Sequence, residues 1–98
     1  MPAVKYTRRA IDCLREVHDY VAQESAQAAQ ELLNDIRMKC RTYAENPLMG
    51  TASEEYGPGI RRFPHGKYVV FYMASNSGII VLSIYHGARN LPDIFHFD

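Results

Sequence analysis

The sequence predicts an α+β fold of element order β-α-α-β-β-β, an N-terminal strand and a helical hairpin packed on a small antiparallel sheet. Three observations carry that reading. Apolar residues recur at helical spacing through the first half of the chain; beyond Gly59 they give way to runs rich in Ile, Val, Phe and Tyr; and the connections between those runs are too short for parallel crossovers. At 98 residues the chain holds one domain, 1–98, because a second core would not bury enough surface to fold.

Ala3 to Tyr6 alternates as Ala-Val-Lys-Tyr, a brief strand, and Thr7 follows as an N-cap. From Arg8 to Gln23, Ile11, Leu14, Val17 or His18, and Val21 mark one helix face, while Arg8, Asp12, Arg15, Glu16 and Asp19 mark the other. Arg8/Asp12 and Arg15/Asp19 stand at i,i+4, each pair worth a few tenths of a kcal/mol. Ser25 caps a second helix with Ala29, Leu32, Leu33, Ile36, Cys40 and Tyr43 on its apolar side. Asn46-Pro47 stops it, since a residue before proline is pushed out of the helical region. The two helices, over about 8–45, therefore form an antiparallel hairpin.

Residues 46–59 show no period and contain Pro47, Gly50, Gly57, Pro58 and Gly59, which predicts a long loop. A three-stranded meander over 60–85 follows, with turns at Pro64-His65-Gly66 and Ser75-Asn76-Ser77-Gly78. In its last strand Ile80, Leu82 and Ile84 are assigned to the face against the helices, and Ile79, Val81, Ser83 and Tyr85 to the other. The tail, 86–98, is aromatic and lacks a helical pattern.

A composition of 47% hydrophobic and 22% charged residues suits a packed globule and excludes a disordered chain. Cys13 and Cys40 come without a CxxC pair or Cys/His cluster, so neither a disulfide scaffold nor a metal site is expected; both are read as small buried hydrophobes in a reducing setting. No signal peptide and no apolar run approaching the roughly 20 residues of a membrane span is present, and a cytoplasmic protein without membrane attachment is expected.

Eleven Lys and Arg balance eleven Asp and Glu, which excludes a generally basic nucleic-acid coat. The balance hides an asymmetry. Between Ile60 and Asn90 there is no Asp or Glu, while Arg61, Arg62, Lys67 and Arg89 are positive and His65 and His86 can add charge. Such a surface attracts an anionic partner, either phosphates or an acidic protein segment. Arg61 and Arg62 alternate across their strand, so at least one points away from the helices or into a paired site.

No phosphate-binding glycine loop, HExxH or GxSxG occurs, which leaves NTP hydrolysis, metalloprotease and serine-hydrolase chemistry without support. His86, three residues before Arg89 at the end of the last strand, is placed to act as a general acid/base beside a phosphate-binding arginine. The bland alternative is a structural histidine bonded to a loop carbonyl. Gly87 is expected to permit a turn or bulge that aims Arg89.

The run Gly59-Ile60-Arg61-Arg62-Phe63-Pro64-His65-Gly66-Lys67-Tyr68-Val69-Val70-Phe71-Tyr72, then Ile79 to Tyr85 and His86-Gly87-Ala88-Arg89-Asn90, resembles the RelE/ParE superfamily of type II toxin–antitoxin toxins, its ParE branch most closely. Glu45-Asn46-Pro47-Leu48-Met49-Gly50 at the end of the hairpin extends the resemblance over nearly the whole chain. It implies the fold read above and a ParD-like antitoxin that wraps the toxin in a hetero-oligomer. RelE-type members cleave mRNA on the ribosome without a metal, using Lys, Arg and often Tyr or His; ParE-type members lack most of that set and poison DNA gyrase.

Aligned on Tyr68 and Arg89, the resemblance places Arg89 and Arg62 at basic positions of the RNA-cutting branch. Ile60, Val69 and Phe95 stand where that branch has a lysine, an arginine and a tyrosine. Phenylalanine exchanges no proton and valine balances no phosphorane charge, each loss costing orders of magnitude in rate. The resemblance thus implies a gyrase inhibitor without catalytic residues, metal or cofactor, and without sequence-specific nucleic-acid binding. Its expected contacts with target or antitoxin are Arg61, Arg62, His86, Arg89, Leu91, Phe95 and Phe97. The alternatives are an mRNA endonuclease working through His86, Arg62 and Arg89, and a toxin-like module without toxicity.

Overall fold

In the computed structural model, which describes residues 2–87, the chain runs β1 (Ala3–Tyr6), α1 (Arg8–Ala22), α2 (Ala26–Glu45), β2 (Thr51–Ala52), β3 (Ile60–His65), β4 (Tyr68–Ser75) and β5 (Gly78–His86). The five strands make one sheet in the order β1-β5-β4-β3-β2. β2 to β5 pair antiparallel, whereas β1 lies parallel to β5, and the helical hairpin is the crossover that a parallel pair needs.

Both helix starts are capped as predicted. Ser25 Oγ accepts from Ala28 N at 3.1 Å. Thr7 does more: its Oγ1 accepts from Ala10 N at 3.1 Å and donates to Leu82 O at 2.8 Å, so one hydroxyl starts α1 and ties it to β5. The Arg8–Asp12 pair forms at 3.6 Å between exposed side chains. The expected Arg15–Asp19 pair does not, because Asp19 turns to His18 Nδ1 at 3.2 Å. Ile11, counted with the apolar face, is 41% exposed; Ala10 and Cys13 are buried in its stead, with Leu14 and Val17.

The core lies between the hairpin and one sheet face. Leu14, Val17, Leu33, Ile36 and Cys40 from the helices meet Phe63, Val70, Tyr72, Ile79, Val81 and Ile84 from the sheet. Tyr43 of α2 stacks flat on Phe63, with centroids 4.1 Å apart and planes 8° from parallel. Cys13 and Cys40 are free and buried.

The expected core face of β5 is overturned for Ile80 and Leu82. Phe71 pairs with Ser83 but Tyr72 pairs with Val81, which leaves Leu82 as an extra residue, a β-bulge. Before it Ile79 and Val81 face the helices; after it Ile84 does. A one-residue insertion exchanges the two faces of a strand, so strict alternation misassigns one side of it. Leu82 packs instead on the far face, beside Tyr56, Ile60 and Phe71.

The segment 46–59 is also more ordered than predicted. It holds a 3-10 turn at Pro47–Met49, the two-residue β2 on the edge of β3, and a second 3-10 turn at Glu54–Tyr56. The buried Tyr72 is the anchor: its hydroxyl donates to Pro47 O at 2.6 Å and accepts from Gly50 N at 3.0 Å.

Candidate functional site

β3 distributes its two arginines to opposite faces. Arg61 lies opposite Tyr72, on the helix side, and its Nη1 donates to Gly50 O at 2.7 Å and Leu48 O at 3.2 Å. It is a strut for the 47–50 turn. Arg62 lies opposite Phe71 on the far face and approaches Glu55 Oε2 at 3.7 Å from the second 3-10 turn. Arg62 is half-buried and Glu55 exposed, so the pair is open to solvent and worth at most about 1 kcal/mol, and the guanidinium can exchange Glu55 for another anion.

His86 closes β5 opposite Tyr68, which in turn lies opposite His65. The three form one row across β3, β4 and β5 at the hairpin end of the sheet. The His86 ring stands edge-on to Tyr68, with centroids 5.5 Å apart and planes at 85°. Gly87 N donates to Lys67 O at 2.6 Å, which carries the β4–β5 pairing one residue beyond His86; Arg89, which this glycine was expected to aim, lies outside the described residues. Pro64, Gly66, Lys67, Tyr68, Val69, His86 and Gly87 line a depression of about 590 Å3. Lys39 of α2 reaches the same end, where its Nζ donates to Pro64 O at 2.8 Å and sits 6.0 Å from the Phe63 centroid. Lys39, His65 and Lys67 thus join His86 in one basic group. Of these four the sequence reading named His86 alone as a site residue; the pairing of Tyr68 with the strands on both sides is the signal for His65.

Tyr68 packs against the helix-side core while Phe71 packs in the far-face cluster. By register, His86 and Arg62 therefore stand on opposite faces of the sheet. The structure does not bring them together. Arg89, Leu91, Phe95 and Phe97 lie outside the described residues.

Elsewhere the titratable groups are tuned by burial. Burial, joined by the hydrogen-bonded Cys40 thiol, pushes the Tyr6 phenol far up, against the pull of Arg37 and Arg41. Burial likewise raises the Cys40 thiol to about 11, and raises Cys13. These thiols stay protonated at neutral pH and are poor nucleophiles. Among the described residues no three His, Cys, Asp or Glu side chains are gathered as for a metal, and no helix is long and apolar enough to cross a membrane.

A two-helix hairpin on a five-stranded mixed sheet, with a basic hairpin end, defines a small α+β module. A solved structure described as a chromosomal ParDE TA system from P. aeruginosa shares this fold at a TM-score of 0.71 and 21% identity, covering 88% of this chain and 96% of that one. Residues 4–91 match the family model for the ParE toxin of the type II toxin–antitoxin system, parDE, and the chain belongs to that family. Among curated proteins none matches it.

Proposed function

We propose that this ParE-type toxin acts by binding: it inhibits DNA gyrase in the cytoplasm, so blocking replication, and is neutralised by a cognate ParD-like antitoxin. The observation that carries the reading is the separation of Arg62 from His86 by the sheet. A metal-free RNA cleavage centre built from Arg62 and His86 would need both around one phosphodiester, so the separation counts against that pair. Arg61, the neighbouring cation, is held by two carbonyls. What remains is an acid-free sheet with basic groups on both faces, a surface suited to recognition of an anionic protein.

The test is a pair of assays on the purified protein. Supercoiling by DNA gyrase should fall with added toxin and return when the antitoxin is supplied, while translated mRNA stays intact. Codon-specific mRNA cleavage with unaffected gyrase would show the endonuclease reading to be the right one.

A further inference from the structure

We propose that the hairpin end of the sheet binds single-stranded DNA, its phosphate taken by Lys39 and Lys67 and a base laid against Tyr68 and His86. The nucleotide chemistry is read from the site itself. The choice of DNA as its source rests on the toxin reading above, which sets an enzyme that works on DNA opposite this chain.

The turn from β3 to β4 is two residues long, and Gly66, at φ +58°, lets it close that tightly. Lys67 is thereby left exposed at the tip. Lys39 arrives from α2 with one N–H spent on Pro64 O at 2.8 Å. An ammonium has three donors, and a neutral carbonyl leaves its charge uncompensated. His65 adds an imidazole in the same row as Tyr68 and His86. Among the described residues, neither lysine nor His65 has a carboxylate within ion-pair distance, and no Asp or Glu lines the hollow.

Charge alone would suit any anion, and the rings narrow the choice. Tyr68 is packed against the helix-side core, and its ring and that of His86 meet edge-on at the hollow. A base stacks on such rings whatever its sequence, whereas an acidic side chain would use the lysines and leave the rings idle. The volume of about 590 Å3 lies within the usual range for small-molecule sites and has room for a nucleotide. Gly66 and Gly87 line it without side chains, so a sugar–phosphate chain can pass close. Arg62 stands on the opposite face and takes no part, which separates this site from the arginine–histidine cleavage centre considered above.

The test follows the fluorescence anisotropy of a labelled dT oligomer of about twelve nucleotides, with a U oligomer of equal length and a Glu-rich peptide of equal charge as the other arms. The DNA strand should bind the full chain, and two lysines on phosphates set a slope of log affinity against log salt of roughly −1.4. Lys67→Glu should weaken binding at least tenfold, and Tyr68→Leu at least fivefold by removing the stacking face. Arg15→Glu, the same change of charge beside a different hollow, should cost less than threefold. Amide NMR shifts of the unmutated chain keep the test independent of mutant folding: added DNA should move Gly66, Lys67, Tyr68 and Gly87 and leave Arg62 and Phe71 on the far face unchanged. Peptide bound as tightly as DNA, RNA bound tenfold more tightly, shifts confined to other residues, or no DNA binding at millimolar protein overturns the proposal. DNA binding here by a chain that leaves gyrase active would sink the toxin reading and keep the site; gyrase inhibition without DNA binding would do the reverse.

Discussion

Arg61 and Tyr72 face each other across β3 and β4 and hold the same four-residue turn, Tyr72 through Pro47 O and Gly50 N, Arg61 through Leu48 O and Gly50 O. The edge strand β2 begins at the next residue, so these two side chains place the end of the sheet. Tyr72→Phe strands a buried amide and a carbonyl and should cost about 1–3 kcal/mol. Arg61→Ala should cost less, since part of its site is open to water. Because both act on one turn, the double mutant should fall short of the sum by about 0.5 kcal/mol or more, as read from urea midpoints.

Gly50 is required by close approach, not by backbone angle. A Cβ there would meet the Tyr72 hydroxyl, its Cε1 at 2.8 Å and Arg62 O at 2.9 Å. Tyr72 is fully buried and has nowhere to retreat. Gly50→Ala should therefore destabilise by about 1–3 kcal/mol, lowering Tm by several degrees for a domain of this size. In the Tyr72→Phe background the penalty should shrink, since the clashing hydroxyl is gone.

The helices, their caps and the three long strands were legible in the sequence because each rests on local chemistry: Thr7 and Ser25 cap, Asn46-Pro47 stops, and short turns force a meander. The bulge at Leu82 was not. It arises where β5 leaves β1 and takes up the N-cap of α1, with Thr7 bonded to both Val81 O and Leu82 O, a tertiary event with no local signature. The order of 46–59 was hidden for the same reason, since it depends on Tyr72, more than 20 residues away. At the site, Arg61 and Arg62 were rightly split between faces, and the row His65–Tyr68–His86 became visible only with strand register.

Gly78 shows how closely β1 sits on β5. Its φ is +153°, and a Cβ would run into the Ala3 carbonyl oxygen, with Ala3 N at 2.7 Å. Gly78→Ala should push β1 off the sheet while leaving the β3–β4–β5 meander intact. Amide exchange should rise at Ala3 to Tyr6 well before it rises in β4.

Stability should fall in alkali. Cys40 ionises near 9 in the unfolded chain and at about 11 in the folded one, because burial disfavours the thiolate. A raised folded value means that its contribution is complete below pH 9 and is lost as pH climbs through 11; Cys13 and Tyr85 are raised by burial as well and act in the same direction. Each such group steepens the decline by up to about 1.4 kcal/mol per pH unit. Urea midpoints measured from pH 7.5 to 10.5 should drop above pH 9, and Cys40→Ala, though less stable at neutral pH, should drop less.

Arg62 and His86 offer the sharpest separation of binding from catalysis. If each contacts a target from its own side of the sheet, the two act independently, and free energies of independent sites add. Arg62→Ala and His86→Ala should then each weaken gyrase inhibition, and the double mutant should show the product of the two fold-losses. Residues of one catalytic centre behave otherwise: once one is gone, removing the second costs little more. Inhibition curves for the four proteins therefore distinguish the two arrangements. A double mutant no weaker than the poorer single one would mean that both side chains serve one centre, contrary to the opposite faces on which β3 and β5 place them.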